Sequence, residues 1–167
     1  MAGTTSDGPP DGAVAVFLHG LDSSSQGTKG RWLAERFPGV RRRDYSGDLD
    51  ERLQQLTDQV DGLDHLILIG SSFGGLMATA FAVREPERCR RLVLLAPALN
   101  HGGYRPPPQP LDVEALVILG AHDTVCPPEQ VLPLARSTFR APEIRVEDDD
   151  HLLHGSFPRL DWELLLA

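Results

Sequence analysis

Short apolar runs alternate with stretches of helical periodicity along the whole of this chain, and few folds accommodate that alternation. The runs are Ala13 to Leu18, a weak one around Val40 to Tyr45, His65 to Ile69, Leu92 to Ala96, Ala115 to Leu119 and Ile144 to Glu147. Helical periodicity covers Lys29 to Phe37, Leu49 to Val60, Phe73 to Arg84, Pro128 to Ser137 and Phe157 to Leu166. Strands that read as nearly continuous apolar runs are buried on both faces, and alternation with helices supplies the cover. The expected class is therefore α/β, with about six mostly parallel strands flanked by helices in a three-layer α/β/α sandwich. Phe37-Pro38 and Glu85-Pro86 end two helices, because a residue before proline is pushed out of the helical region.

A chain of 167 residues with 41% hydrophobic content holds one core without metal or disulfide staples. Residues 13–167 are read as a single domain and residues 1–12, rich in Gly, Pro, Ser and Asp, as a flexible tail. Sixteen basic against 24 acidic residues give a net charge of −8. Beyond Arg41-Arg42-Arg43 the basic residues form no cluster, which argues against nucleic acid or an anionic membrane as partner. No apolar run approaches the roughly 20 residues that span a bilayer. Cys89 and Cys126 stand far apart, without C-x-x-C or metal-ligand spacing, so neither a disulfide framework nor a zinc site is expected. A reducing, cytoplasmic setting and a small-molecule substrate fit this balance. One segment breaks the rhythm: Pro97 to Asp112, with Gly102-Gly103 and Pro106-Pro107-Pro108, reads either as a spacer or as a short lid beside a site at the strand ends.

The chemistry starts where the run His65 to Ile69 meets Gly70-Ser71-Ser72-Phe73-Gly74-Gly75 and a helix. This is G-x-S-x-G between strand and helix, a sharp turn whose glycines let a serine oxygen stand clear of the backbone. The spacing of Gly70 and Gly75 also suits a phosphate loop, but Leu76 and Met77 stand where that loop needs Lys and Ser or Thr. Ser72 is thus the candidate nucleophile. A serine hydroxyl needs a histidine to take its proton and a carboxylate to orient that histidine. Asp123 follows the run Ala115 to Leu119, and His151 follows Ile144 to Glu147, each just past a strand end where sites in parallel sheets form. His154 competes with His151, which lies closer to its strand. Taken alone, Asp123 reads more readily as a helix cap.

Two backbone N–H donors must face the oxyanion of acyl transfer, and the expected pair is Leu21, after the first strand, and Phe73, after the nucleophile. His19, Gly20, Asp22 and Ser71 are the expected substrate-side neighbours. The His19 side chain is read as fixing its loop by hydrogen bonding rather than as a second base.

The stretch His19 to Gly30, followed by Trp32 to Phe37, resembles the opening of small bacterial α/β-hydrolase-fold esterases with an HGF-x-SSP-x-S-x-K signature, here with Leu21 for Phe and Ser25 for Pro. The resemblance continues through Gly70 to Gly75, Gly120 to Pro127 and Asp150-His151. It implies an α/β-hydrolase fold and a triad of Ser72, Asp123 and His151, without metal or organic cofactor. Larger relatives carry a helical cap where this chain has only Pro97 to Asp112, which implies an open pocket for small acyl groups. The expected activity is hydrolysis of small carboxylic esters or thioesters through an acyl-enzyme. Amide or lactone substrates use the same machinery. The non-enzymatic alternative is a catalytically weak binding protein on the same frame. A flavodoxin-like or nucleotide-binding domain accounts for the alternation but not for the ordered Ser, Asp and His.

Overall fold

The computed structural model describes residues 12–167, so the expected flexible tail at 1–12 lies, but for its last residue, outside the described residues. Six strands form one sheet: β1 (Val14–Leu18), β2 (Arg41–Arg42), β3 (Leu66–Ser71), β4 (Cys89–Leu95), β5 (Glu114–Gly120) and β6 (Glu143–Glu147). Their spatial order is β2-β1-β3-β4-β5-β6, and every pairing is parallel. Between them run α1 (Thr28–Arg36), α2 (Leu49–Gln59), α3 (Phe73–Arg84) and α4 (Pro128–Thr138), with α5 (Trp162–Leu165) at the end.

Successive side chains of a strand point to opposite faces, and the apolar runs feed two cores accordingly. Val16, Leu18, Leu66, Leu68, Leu92, Leu94, Val117 and Leu119 pack on one face with α2, α3 and α4. Ala15, Phe17, Ile67, Ile69, Val93, Leu95, Leu116 and Ile118 pack on the other with Leu33 of α1 and Trp162 of α5. The α/β/α sandwich expected from the sequence is therefore present. The central helix α3 is buried on nearly every side, which is why it shows no amphipathic stripe. By contrast, α2 opens on an N-cap: the Asp48 side chain accepts from the Glu51 backbone N–H, with Asp50 and Glu51 in the first turn.

Two elements depart from the sequence reading. The weak second strand is only Arg41–Arg42, because it pairs with Val16 and Phe17 alone and is an edge. The expected last helix, Phe157 to Leu166, is instead a 3-10 turn over Phe157–Arg159 followed by α5. Pro158 suits the first turn, and the Asp161 carboxylate then caps a new helix by accepting from the Leu164 N–H. The Trp162 indole N–H donates to the Phe157 carbonyl at 2.9 Å, and Trp32, Phe157 and Trp162 stack together at centroid distances of 5.0–6.1 Å. That aromatic cluster holds the C-terminus against α1, where helical propensity alone would not have placed it.

Candidate active site

The turn from β3 into α3 is tight enough to set Ser72 at φ 55° and ψ −116°, a backbone region that costs a residue with a side chain on the order of 1 kcal/mol or more. Neighbouring contacts force it. A Cβ on Gly70 would lie 2.3 Å from the Gly74 carbonyl oxygen, and one on Gly74 would lie 2.0 Å from that of Leu18. Ser72 N–H donates to the Leu95 carbonyl at 2.9 Å and anchors the turn to β4. Its hydroxyl therefore stands at the carboxyl edge of the sheet, at the N-terminus of α3.

Asp123 and His151 arrive there from β5 and β6. Ser72 Oγ lies 3.0 Å from His151 Nε2, and His151 Nδ1 lies 2.7 Å from Asp123 Oδ2. Asp123 is buried, and its Oδ1 accepts the backbone N–H groups of Val125 and Cys126 at 2.8 Å each. With the carboxylate accepting, the ring proton sits on Nδ1 and the Nε2 lone pair faces the serine. Of the two candidate histidines it is His151 that joins this chain. His154 lies in the exposed turn before Phe157.

The loop carrying His151 is clamped from three sides. The Asp149 Oδ2 accepts the Gly155 N–H, the Ser156 N–H and the Ser156 hydroxyl. Lys29 Nζ donates to the Leu152 carbonyl at 2.6 Å, 123 residues away in sequence. Leu153, at φ 53°, buries its side chain completely. Burial raises the Asp149 carboxyl, but the hydrogen bonds from the Ser156 side chain and from the N–H groups of Asp150, Ser156 and Gly155 outweigh it and hold the group below the usual carboxylate range. A group depressed in the folded state contributes stability that is complete above its unfolded value, about 3.9 for Asp, and is lost as pH falls through its folded value. Asp149→Asn is therefore expected to lower the melting temperature at pH 7 and to close that gap as pH drops below 4. Thermal melts across pH 3–7 check this, and a gap that stays constant would count against it.

A cavity of about 590 Å³ opens over Ser72, within the usual range for small ligands. His19, Gly20, Leu21, Asp22, Ser71 and Phe73 all line it, as do Ala98, Asn100, His101 and Gly102. The His19 ring is committed internally: Nε2 accepts the Tyr45 N–H at 2.9 Å and Nδ1 donates to the Gly20 carbonyl at 2.6 Å. Pro97 to Asp112 divides into two parts. Its start forms cavity wall, with Asn100 Nδ2 donating to the Val125 carbonyl. Its end is tied to α4, through Tyr104 to Thr138 and through Leu111 pairing with Phe139.

Sequence reasoning gave Lys29, Arg52 and Cys126 no place at the site. The Arg52 guanidinium lies 5.3 Å over the Phe73 ring, and Cys126 borders the cavity beside Ser72. No local pattern marks these positions; the Lys29 position falls within the signature but carries no indication of its contact.

A profile of the family described as serine aminopeptidase, S33, matches residues 26–158, which take in Ser72, Asp123 and His151. The chain belongs to this α/β-hydrolase family. A hydrolase of the α/β superfamily from Xanthomonas campestris pv. campestris superposes with a TM-score of 0.74 at 24% identity, covering 92% of this chain and 95% of that one. A monoacylglycerol lipase from Paleococcus ferrophilus gives 0.71 at 17% identity, covering 95% of each chain. In sequence, homoserine O-acetyltransferase from Thermus thermophilus is 33% identical over 100 residues, 58% of this chain but only 26% of that enzyme. The chain thus aligns with about a quarter of the length of that curated relative. This α/β hydrolase has no helix, among the described residues, long and apolar enough to cross a membrane.

Proposed function

We propose that this α/β hydrolase cleaves small carboxylic esters or thioesters through an acyl-enzyme on Ser72. The observation that carries the reading is the hydrogen-bonded chain from Ser72 Oγ through His151 to a buried, fully engaged Asp123. In the first step Ser72 Oγ attacks the acyl carbon while its proton passes to His151 Nε2. Asp123 keeps the imidazole in the required tautomer and stabilises the imidazolium. The backbone N–H groups of Leu21 and Phe73 receive the oxyanion, helped by the positive end of α3. His151 then protonates the leaving alkoxide or thiolate, and water deacylates the serine by the reverse path. Nothing in this sequence of steps calls for a metal or organic cofactor.

The cavity rim favours an apolar acyl group. Leu21, Val125 and Leu152, all half-exposed or more, stand on the three loops that surround Ser72 and line the cavity. An aminopeptidase, the activity in the family's description, needs a carboxylate to hold the substrate ammonium, and among the described residues the cavity lining offers Asp22 alone. Side-by-side assay of short-chain p-nitrophenyl esters, acyl thioesters and aminoacyl p-nitroanilides tests the choice. Ester or thioester turnover above anilide turnover supports the proposal, and the reverse order overturns it.

Lys29 is proposed as a positioning residue in this machinery, because its ammonium holds the residue next to the base. Lys29→Met is expected to lower kcat by roughly 10-fold to 100-fold, the range seen when a catalytic group is misplaced by about an ångström, with KM within a factor of two. Lys29→Arg, which keeps a donor, restores much of the loss. Equal kcat for Lys29→Met and the wild type would remove this role.

A further inference from the structure

We propose that Cys126, His151 and Asp123 form a binding site for a soft or borderline divalent cation such as Zn²⁺, and that its occupancy shuts off Ser72. The site is built by the fold. Asp123 and Cys126 come from the loop after β5, His151 from the loop after β6, and one ligand atom of each lies within 4.8 Å of the others. Around a tetrahedral zinc, bonds of about 2.0–2.3 Å leave ligand atoms roughly 3.5 Å apart, so the wider pairs close by up to about an ångström, whereas His151 Nδ1 and Asp123 Oδ2, now 2.7 Å apart, open if Nδ1 is the ligand. An entry path exists, since Cys126, His151 and Ser72 line one cavity. Support behind the ligands exists as well, because the Asp123 carboxylate is held by the Val125 and Cys126 N–H groups. Thiol and imidazole together select Zn²⁺ or Cd²⁺ over Mg²⁺ or Ca²⁺.

Binding is a proton exchange with no redox step. The cation bonds to Cys126 Sγ and the thiol proton leaves to solvent. The base is lost whichever ring nitrogen of His151 takes the ion. On Nε2 the ion occupies the lone pair that faces Ser72. On Nδ1 it displaces the hydrogen bond to Asp123 and leaves the proton on Nε2, pointing at a hydroxyl it can no longer deprotonate.

The inhibition rests on Ser72 being the nucleophile, whereas the binding does not, and one experiment separates them. Metal-free protein is titrated with Cd²⁺ while thiolate-to-cadmium absorbance is recorded, and parallel samples are labelled at Ser72 with a fluorophosphonate probe. One Cd²⁺ per chain is expected, with an absorbance band and at least a tenfold fall in labelling rate that EDTA reverses. Cys126→Ala, or the near-isosteric Cys126→Ser if Ala proves unstable, is expected to lose the band and about tenfold or more in affinity, the scale set by disturbing a metal's ligand surroundings. Cys89→Ala keeps both, since that thiol is buried at the start of β4. No stoichiometric band in the wild type, or a band that persists without Cys126, overturns the site. A band without any labelling of metal-free protein leaves the site standing and removes the nucleophile.

Discussion

Ser72→Gly is expected to abolish turnover and to raise stability at once. The loss follows from the nucleophile: removing the serine of an assembled triad costs about 10⁴-fold to 10⁶-fold in kcat, and the remainder reflects binding and the oxyanion donors. The gain follows from the backbone. Ser72 is held at φ 55° by the packing of Gly70 and Gly74, and glycine adopts that conformation without the penalty a Cβ brings. Relief of about 1 kcal/mol raises the melting temperature by roughly 2–4 °C in a chain of this size. Ser72→Ala loses the same activity without the gain, since its Cβ keeps the strain. Ester turnover, fluorophosphonate labelling with peptide mapping, and thermal melts of the three proteins read both effects. Turnover retained by either variant would end the acyl-enzyme reading, whereas equal melting temperatures for Ser72→Gly and Ser72→Ala would mean the turn relaxes in solution.

Gly74→Ala is expected to be strongly destabilising. Its Cβ would lie 2.0 Å from the Leu18 carbonyl oxygen, 2.5 Å from the carbonyl carbon and 2.8 Å from the His19 carbonyl oxygen. All three atoms are backbone at the end of β1, so no rotamer change makes room. α3 must move off the sheet, and overpacking of a rigid site costs on the order of 3 kcal/mol, or a melting temperature lower by roughly 10 °C. Activity falls with it, because the same displacement carries the Phe73 N–H and Ser72 away from the loop of Gly20 and Leu21. Gly102→Ala is the control: a Cβ there meets nothing within 4 Å, and its melting temperature should match the wild type. A Gly74→Ala protein as stable as that control would show that α3 is not seated on β1 as described.

How far the sequence reached depended on the range of each interaction. Two-faced burial is written into Leu66 to Ile69 of β3 and Leu92 to Leu95 of β4 as unbroken apolar runs, and the strand-to-helix glycines crowd one another within six residues, so sheet and turn were both legible. Ser72, Asp123 and His151 were legible for a related reason. Each follows a strand directly, and a parallel sheet delivers all such positions to one edge whatever the loops between do. Choosing His151 over His154 needed only its shorter distance from β6. What lay beyond reach were contacts between segments that share no local pattern. The Lys29 ammonium meets the Leu152 carbonyl across 123 residues. The last helix breaks at Asp161 in favour of an aromatic cluster with Trp32. Cys126, without any metal-ligand spacing in the chain, is brought beside His151 by the pairing of β5 with β6. Periodicity and turn chemistry are local energies, and they determined the layers, the order of the elements along the chain and which side chains are candidates for the site. Distances between loops are set by how the layers settle on one another, and only the tertiary structure decided which neighbours those candidate side chains acquired.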